Sequence, residues 1–201
     1  MKWKKLFGFG KSKEIEFEVE QSGISQEALA MVKRSINGKI HPFYKMDLYT
    51  EKPADIAGIY VEVKQEEADR LVLKLKEELK SINYLAFICD SDHQKIGIIP
   101  GSDQFDIIRV QQTNGDNYDI SNERVISKLK EWYRRYPFII IGADYDWVEA
   151  NFEVFPEGKA LRVFATEIYK FCPDIVEQGS GSINGLVEEM RETMKLILWW
   201  D

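Results

Sequence analysis

The sequence predicts an α+β fold, with a mixed, largely antiparallel sheet and helices packed on it. Three observations carry that prediction. Strand-like and helix-like periodicities are interspersed along the chain and do not alternate strictly. Short strand-like runs come in hairpin-like pairs, such as Lys95–Ile99 followed by Phe105–Val110. Tyr84–Cys89 (YLAFIC) is an unbroken apolar run, the pattern of a central strand covered on both faces.

The elements follow in order. Ile15, Phe17 and Val19 alternate with Glu14, Glu16, Glu18 and Glu20, which predicts a short strand with one face buried. Ser25 is the expected N-cap of the next helix, with Ile24 and Leu29 at the spacing of a hydrophobic staple. Leu29, Val32 and Ile36 continue its stripe, and Gly38 is the expected stop. His41–Gly58 is broken by Pro42 and Pro53 and is expected to be an irregular junction. Gly58–Val63 then predicts a strand. Residues 65–82 predict a helix, with Ala68, Leu71, Val72, Leu75, Leu79 and Ile82 on one face.

Beyond the YLAFIC strand and its two successors, QTNGDNYDISNE predicts a surface loop that ends in a helix N-cap. The helix over 122–135 presents Val125, Ile126, Leu129, Trp132, Tyr133 and Tyr136, and Pro137 stops it. Strands are expected at Phe138–Ile141 and Val148–Val154, with a helix over 158–171. A further helix runs from a Ser182 cap to about Thr193, before a last strand, Leu196–Trp200. The domain organisation this implies is a basic flexible tail (1–13), an N-terminal strand–helix extension (14–55) and a main α+β domain (56–201).

Composition narrows the class. The 201 residues are 44% hydrophobic and 30% charged, enough apolar side chain for a sizeable core and too much for general disorder. The net charge of −7 hides an asymmetry. Residues 1–13 carry five lysines and no acid, a local +5, whereas the remaining 22 basic and 34 acidic residues sum to −12. Such an acidic body repels phosphate backbones, so no nucleic acid is expected, and a basic protein partner is easier to attract. The lysine-rich start also holds Trp3, Leu6, Phe7 and Phe9, enough for a weak membrane-surface contact but too short an apolar run for a signal-peptide core. Two isolated cysteines, Cys89 and Cys172, suit a reducing cytoplasm. The oligomeric state is not encoded in any of these features.

Candidate chemistry is sparse. Cys172 is a nucleophile only with a base beside it, and the sequence offers just His41 and His93. At a helix C-terminus before Pro173, a small buried hydrophobe is the expected role. Asp90-Ser91-Asp92-His93 and Asp144-Tyr145-Asp146 each leave a strand, where ligand sites collect. Together with Asp174 or Glu177 they form the weak candidates for holding Mg²⁺ or Ca²⁺, although aspartates are also ordinary turn residues. Gly179–Ser182 lacks the P-loop spacing and lysine, so turn plus cap is expected. Trp199 and Trp200 are adjacent in a strand and point to opposite faces; core burial is expected for them, and an exposed indole would be a recognition anchor.

Three blocks resemble a known family. GADYDWVE (142–149), FCPDIVEQGSGS (171–182) and LWWD (198–201) agree in order and spacing with the end of the bacterial domain-of-unknown-function family four-two-five-three. The resemblance spans roughly the last 110 residues. It implies a bacterial, cytoplasmic protein and carries no established activity, so no catalytic residue is transferred.

The expected function is a non-enzymatic, protein-binding module with an acidic surface, of the immunity or stress-related kind, with no cofactor. The candidate functional residues are Asp144, Asp146, Trp147, Asp174, Glu177, Gln178 and Trp200. The alternative is a metal-assisted hydrolase or nucleotide-handling enzyme. It requires Asp90, Asp92, His93, Asp144, Asp146 and Asp174 to converge in one cleft.

Overall fold

The computed structural model describes residues 21–47 and 52–201. The lysine-rich start and the strand expected over 14–20 lie outside the described residues. The chain divides into two compact units, Met1–Ser102 and Asp103–Asp201. The boundary expected between residues 55 and 56 falls inside a strand, Lys52–Glu62.

In the first unit, helix α1 (Gln26–Ser35) starts as expected: Ser25 Oγ accepts from the Ala28 amide at 3.1 Å. The helix ends earlier than Gly38, because Ile36 is already extended. Gly38 serves a different need. A Cβ there would lie 2.0 Å from the Glu62 carbonyl oxygen, so only glycine allows the two backbones to meet.

His41–Gly58 is not an irregular junction. It forms most of an antiparallel pair, β1 (Ile40–Asp47) and β2 (Lys52–Glu62), with Pro42 opposite Ile59 and Met46 opposite Pro53. Both prolines fit for the same reason, a missing neighbour strand. β1 ends the strand order, so the N–H that Pro42 lacks is not required there. β4 (Lys95–Pro100) pairs with β2 only over Ile59–Glu62, well clear of Pro53.

Helix α2 (Ala68–Lys80) buries Leu71, Val72, Leu75 and Leu79 at helical spacing and packs on β3 (Tyr84–Ile88). Each fully buried leucine contributes about 1.5–3 kcal/mol before entropy costs. The four strands run in the order β1-β2-β4-β3, all antiparallel. Gly97 lies opposite Phe87, and a Cβ there would sit 2.9 Å from the ring, so the glycine makes room for it.

The second unit corrects one element. Phe105–Val110 is expected as a strand and forms helix α3 (Phe105–Gln111) instead. Four apolar residues in six, Phe105, Ile107, Ile108 and Val110, do not distinguish the two by period, and Asp103 decides it by accepting from the Phe105 amide at 3.0 Å. Gln104 then serves β5 (Phe138–Ala143): its amide donates to Phe138 O at 3.1 Å and accepts from Ile140 N at 2.8 Å.

Helix α4 (Asn122–Arg135) is capped by Ser121, as expected. β6 (Trp147–Phe152), helix α5 (Gly158–Phe171), a π-helical turn (Ile175–Ser180), helix α6 (Ile183–Thr193) and β7 (Lys195–Trp199) complete the unit. The strands β5, β6 and β7 pair antiparallel in that order. Trp132 is fully buried among edge-on aromatic rings, 5.4 Å from Phe164 and 5.6 Å from Phe171 between centroids. The fold is α+β with largely antiparallel strands, as the periodicities predict. Among the described residues no helix is long and apolar enough to cross a membrane.

Candidate functional site

Most of the residues singled out by the sequence meet at one corner of the second unit. Its centre is Asp174, at the start of the π-helical turn and 2% exposed. Tyr118 donates to Asp174 Oδ1 at 2.6 Å, Gln178 to the same oxygen at 3.1 Å, and the Asp201 amide to Oδ2 at 3.0 Å. Burial pushes this carboxyl upward, but the three donors outweigh it and hold Asp174 below the ordinary carboxylate value. In turn, the hydrogen bond to Asp174 pushes the Tyr118 phenol up to about 12.

Asp174 is therefore explained by its place in the packing. A buried carboxylate is costly alone, and here its acceptor capacity goes to a loop, a helical turn and the residue after Trp200. Asn117 adds a second clamp by donating to the Asp201 carbonyl.

Trp200 is 4% exposed, so it is not a surface anchor. Its amide donates to Asp146 O at 2.9 Å, and its indole N–H reaches Phe171 O at 3.4 Å. Its indole packs against Gly115, where a Cβ would come within 2.8 Å of Cδ1. Trp199 is half-buried and pairs with Trp147 across β6 and β7.

Cys172 Sγ donates to Trp199 O at 2.9 Å. Burial drives its thiol up to about 12, so it holds almost no thiolate at neutral pH and is a structural group. Glu177 stays on the surface, where it accepts from the Tyr169 hydroxyl at 3.0 Å.

The Asp144–Asp146 loop joins the same corner through its backbone. Thr113 Oγ1 donates to Asp144 O at 2.7 Å, the Asn114 amide donates to Tyr145 O at 2.8 Å, and Asp144 N to Trp147 O closes the turn at 3.0 Å. The carboxylate of Asp144 also accepts from the Tyr145 amide at 2.9 Å. Above this framework Tyr145 is 56% exposed. The negative charge of Asp146 and a hydrogen bond to its side chain push the phenol upward, with burial and the charges of Asp144 and Asp201 adding less.

The remaining candidates make a turn. Asp90 Oδ1 accepts from Gln94 N at 3.0 Å and Lys95 N at 2.7 Å, the habit of aspartate after a strand. Asp92 is exposed, and His93 Nδ1 lies 3.6 Å from Asp69 Oδ1. Among the described residues no group of three or more His, Cys, Asp or Glu side chains is placed to hold a metal ion.

Several residues at the corner carry no sequence signal beyond a polar loop: Thr113, Asn114, Gly115, Asn117 and Tyr118. Their partners lie 31 to 84 positions away in the chain wherever a side chain makes the long-range bond, which no local pattern reports.

The three blocks GADYDWVE, FCPDIVEQGSGS and LWWD thus touch one another: Asp146 O holds Trp200 N, Cys172 Sγ and Phe171 O hold the Trp199–Trp200 segment, and Asp174 holds Asp201. A model of the family described as a domain of unknown function (DUF4253) matches residues 95–201. The chain belongs to this family. No curated protein and no solved structure matches it. Within the DUF4253 match, these three blocks are largely the hydrogen-bonded seam that ties β7 to the loops around it.

Proposed function

We propose that this DUF4253 chain is a non-enzymatic, cytoplasmic protein-binding module that engages a basic partner, in the manner of an immunity-type protein that sequesters its target. The observation that carries the reading is Tyr145, the most exposed aromatic ring among the described residues. It is held on a backbone-anchored loop and surrounded by Asp144, Asp146 and Asp201. A ring flanked by carboxylates suits a lysine or arginine side chain, which gains both a cation–π contact and charge-assisted hydrogen bonds.

Charge distribution supports the same reading. Asp103–Asp201 contains 18 acidic and 11 basic residues, a net −7, whereas Met1–Ser102 has 16 of each. Opposite charge mainly speeds association and selects partners. The cysteines, both free and buried, fit a reducing compartment. No specific observation favours the metal-assisted alternative.

The test is capture with the full chain as bait, in parallel with Tyr145→Ala and with Asp144→Asn/Asp146→Asn. A basic protein retained by the wild type, released by moderate salt and lost with both variants supports the proposal. Partners retained equally by all three baits would refute it.

A further inference from the structure

A second surface of the same unit has the opposite character. A cleft of about 260 Å³ lies between the start of α5 and one face of α6, lined by Gly158, Lys159, Arg162, Asn184, Glu188 and Arg191. Asn184, Glu188 and Arg191 fall on one stripe of α6 at i, i+4 and i+7, and Lys159 and Arg162 share one turn of α5.

Six cations of the unit face no carboxylate within ion-pair distance among the described residues, Arg124, Arg134 and Lys170 beside the three that line this cleft. Arg109, Lys128, Lys130, Arg135 and Lys195 each face a carboxylate within ion-pair distance. Lys159, Arg162 and Arg191 face none among the described residues. Three such cations gathered at one concavity, in a unit of net charge −7, repel one another with no compensating ion pair. Arg162 is also oriented, since its Nη1 donates to Asn184 Oδ1.

The start of α5 adds to the site. The first residue of α5 is Gly158, at φ +55, preceded by Glu157, whose side chain makes no capping bond. The cleft therefore lies beside the N-terminus of a 14-residue helix, the positive end of its dipole. Space above Gly158 is open: nothing lies within 4 Å of where a Cβ would sit.

We propose that this cleft binds a small phosphomonoester, with Lys159, Arg162 and Arg191 on the phosphate and Glu188 accepting from a hydroxyl of the ligand. The charges point to the class: the lining carries three cations against the one carboxylate of Glu188, with Glu157 just before Gly158, and this net positive charge suits the anion a phosphomonoester presents at neutral pH. The volume suits a small ligand, falling just below the usual range for drug-sized ones. A forked guanidinium is suited to paired phosphate oxygens. This site is independent of the Tyr145 surface, and neither reading rests on the other.

The experiment is titration of the full chain with inorganic phosphate, glycerol phosphate and, as a control, sodium chloride at matched ionic strength, followed by amide NMR. Saturable shifts of Gly158, Lys159 and Asn184 with a dissociation constant of order 1 mM or tighter are expected for both phosphates, tighter for glycerol phosphate. Arg162→Ala and Arg191→Ala should each weaken binding about tenfold, the equivalent of one charge-assisted contact. Glu188→Gln should remove the preference for glycerol phosphate over inorganic phosphate. Because these side chains are exposed, circular dichroism and thermal unfolding of the variants should match the wild type. Shifts that do not saturate, that chloride reproduces, or that survive both arginine substitutions would overturn the proposal.

Discussion

The Tyr118 hydroxyl donates to Asp174 Oδ1 at 2.6 Å, across 56 positions of sequence, and the opposite oxygen of that carboxylate holds the Asp201 amide at 3.0 Å. One side chain thereby fastens the loop after α3, the π-helical turn and the segment following β7. Because it is buried and fully engaged, its removal reads out in stability before any effect on binding.

Asp174 should make the protein acid-sensitive. Its folded-state value lies below the ordinary carboxylate value, so the fold favours the ionised form. That contribution is complete above the unfolded value of about 3.9 and is lost as pH falls through the folded value. Asp174→Asn turns an N–H donor towards a donor already present, and should cost about 1–3 kcal/mol at neutral pH. Urea unfolding of both proteins from neutral to acid pH checks it. The gap between them should narrow below pH ~4; an unchanged gap would contradict the assignment.

Cys172 should be inert in the folded chain. With burial driving its thiol up to about 12 and its hydrogen engaged by Trp199 O, iodoacetamide at pH ~8 should leave it unlabelled and react only after denaturation. Peptide mass mapping measures this directly. Rapid native labelling of Cys172 would return it to the list of nucleophiles.

Gly115→Ala tests the seat of Trp200. The backbone of Gly115 has φ −127, open to alanine, so the cost is steric. The added carbon would lie 2.8 Å from the indole, and overpacking of this kind costs about 1–3 kcal/mol. The thermal unfolding midpoint should fall accordingly. Gly179→Ala, whose added carbon would meet nothing closer than 3.7 Å, is the comparison for an uncrowded glycine and should fall less. Equal midpoints for the two variants would remove the steric account.

The legible parts of the fold are those set by neighbours in sequence. Ser25, Ser121 and Ser182 cap their helices because an N-cap needs only the amide three residues on. The stripes of α2, α4 and α5 are visible because burial recurs at helical period within a single element. Pro42 and Pro53 mislead because the tolerance of a strand for proline depends on which neighbour it lacks, a property of strand order. Phe105–Val110 misleads because its four apolar residues are too few to decide between the two periods, and a single side chain, Asp103, tips the outcome.

The sequence by itself determined the α+β class, most helix bounds, the structural character of Cys172 and the family, whose model matches residues 95–201. Only the tertiary structure decided that Asp174 is a hub, that Trp200 is covered, and that Tyr145 stands clear among carboxylates. Nor did the sequence place Lys159, Arg162 and Arg191 around one cleft. The reason is physical: hydrogen-bond satisfaction and local charge depend on groups dozens of residues apart, whereas caps and periodic burial are settled within a few turns of chain.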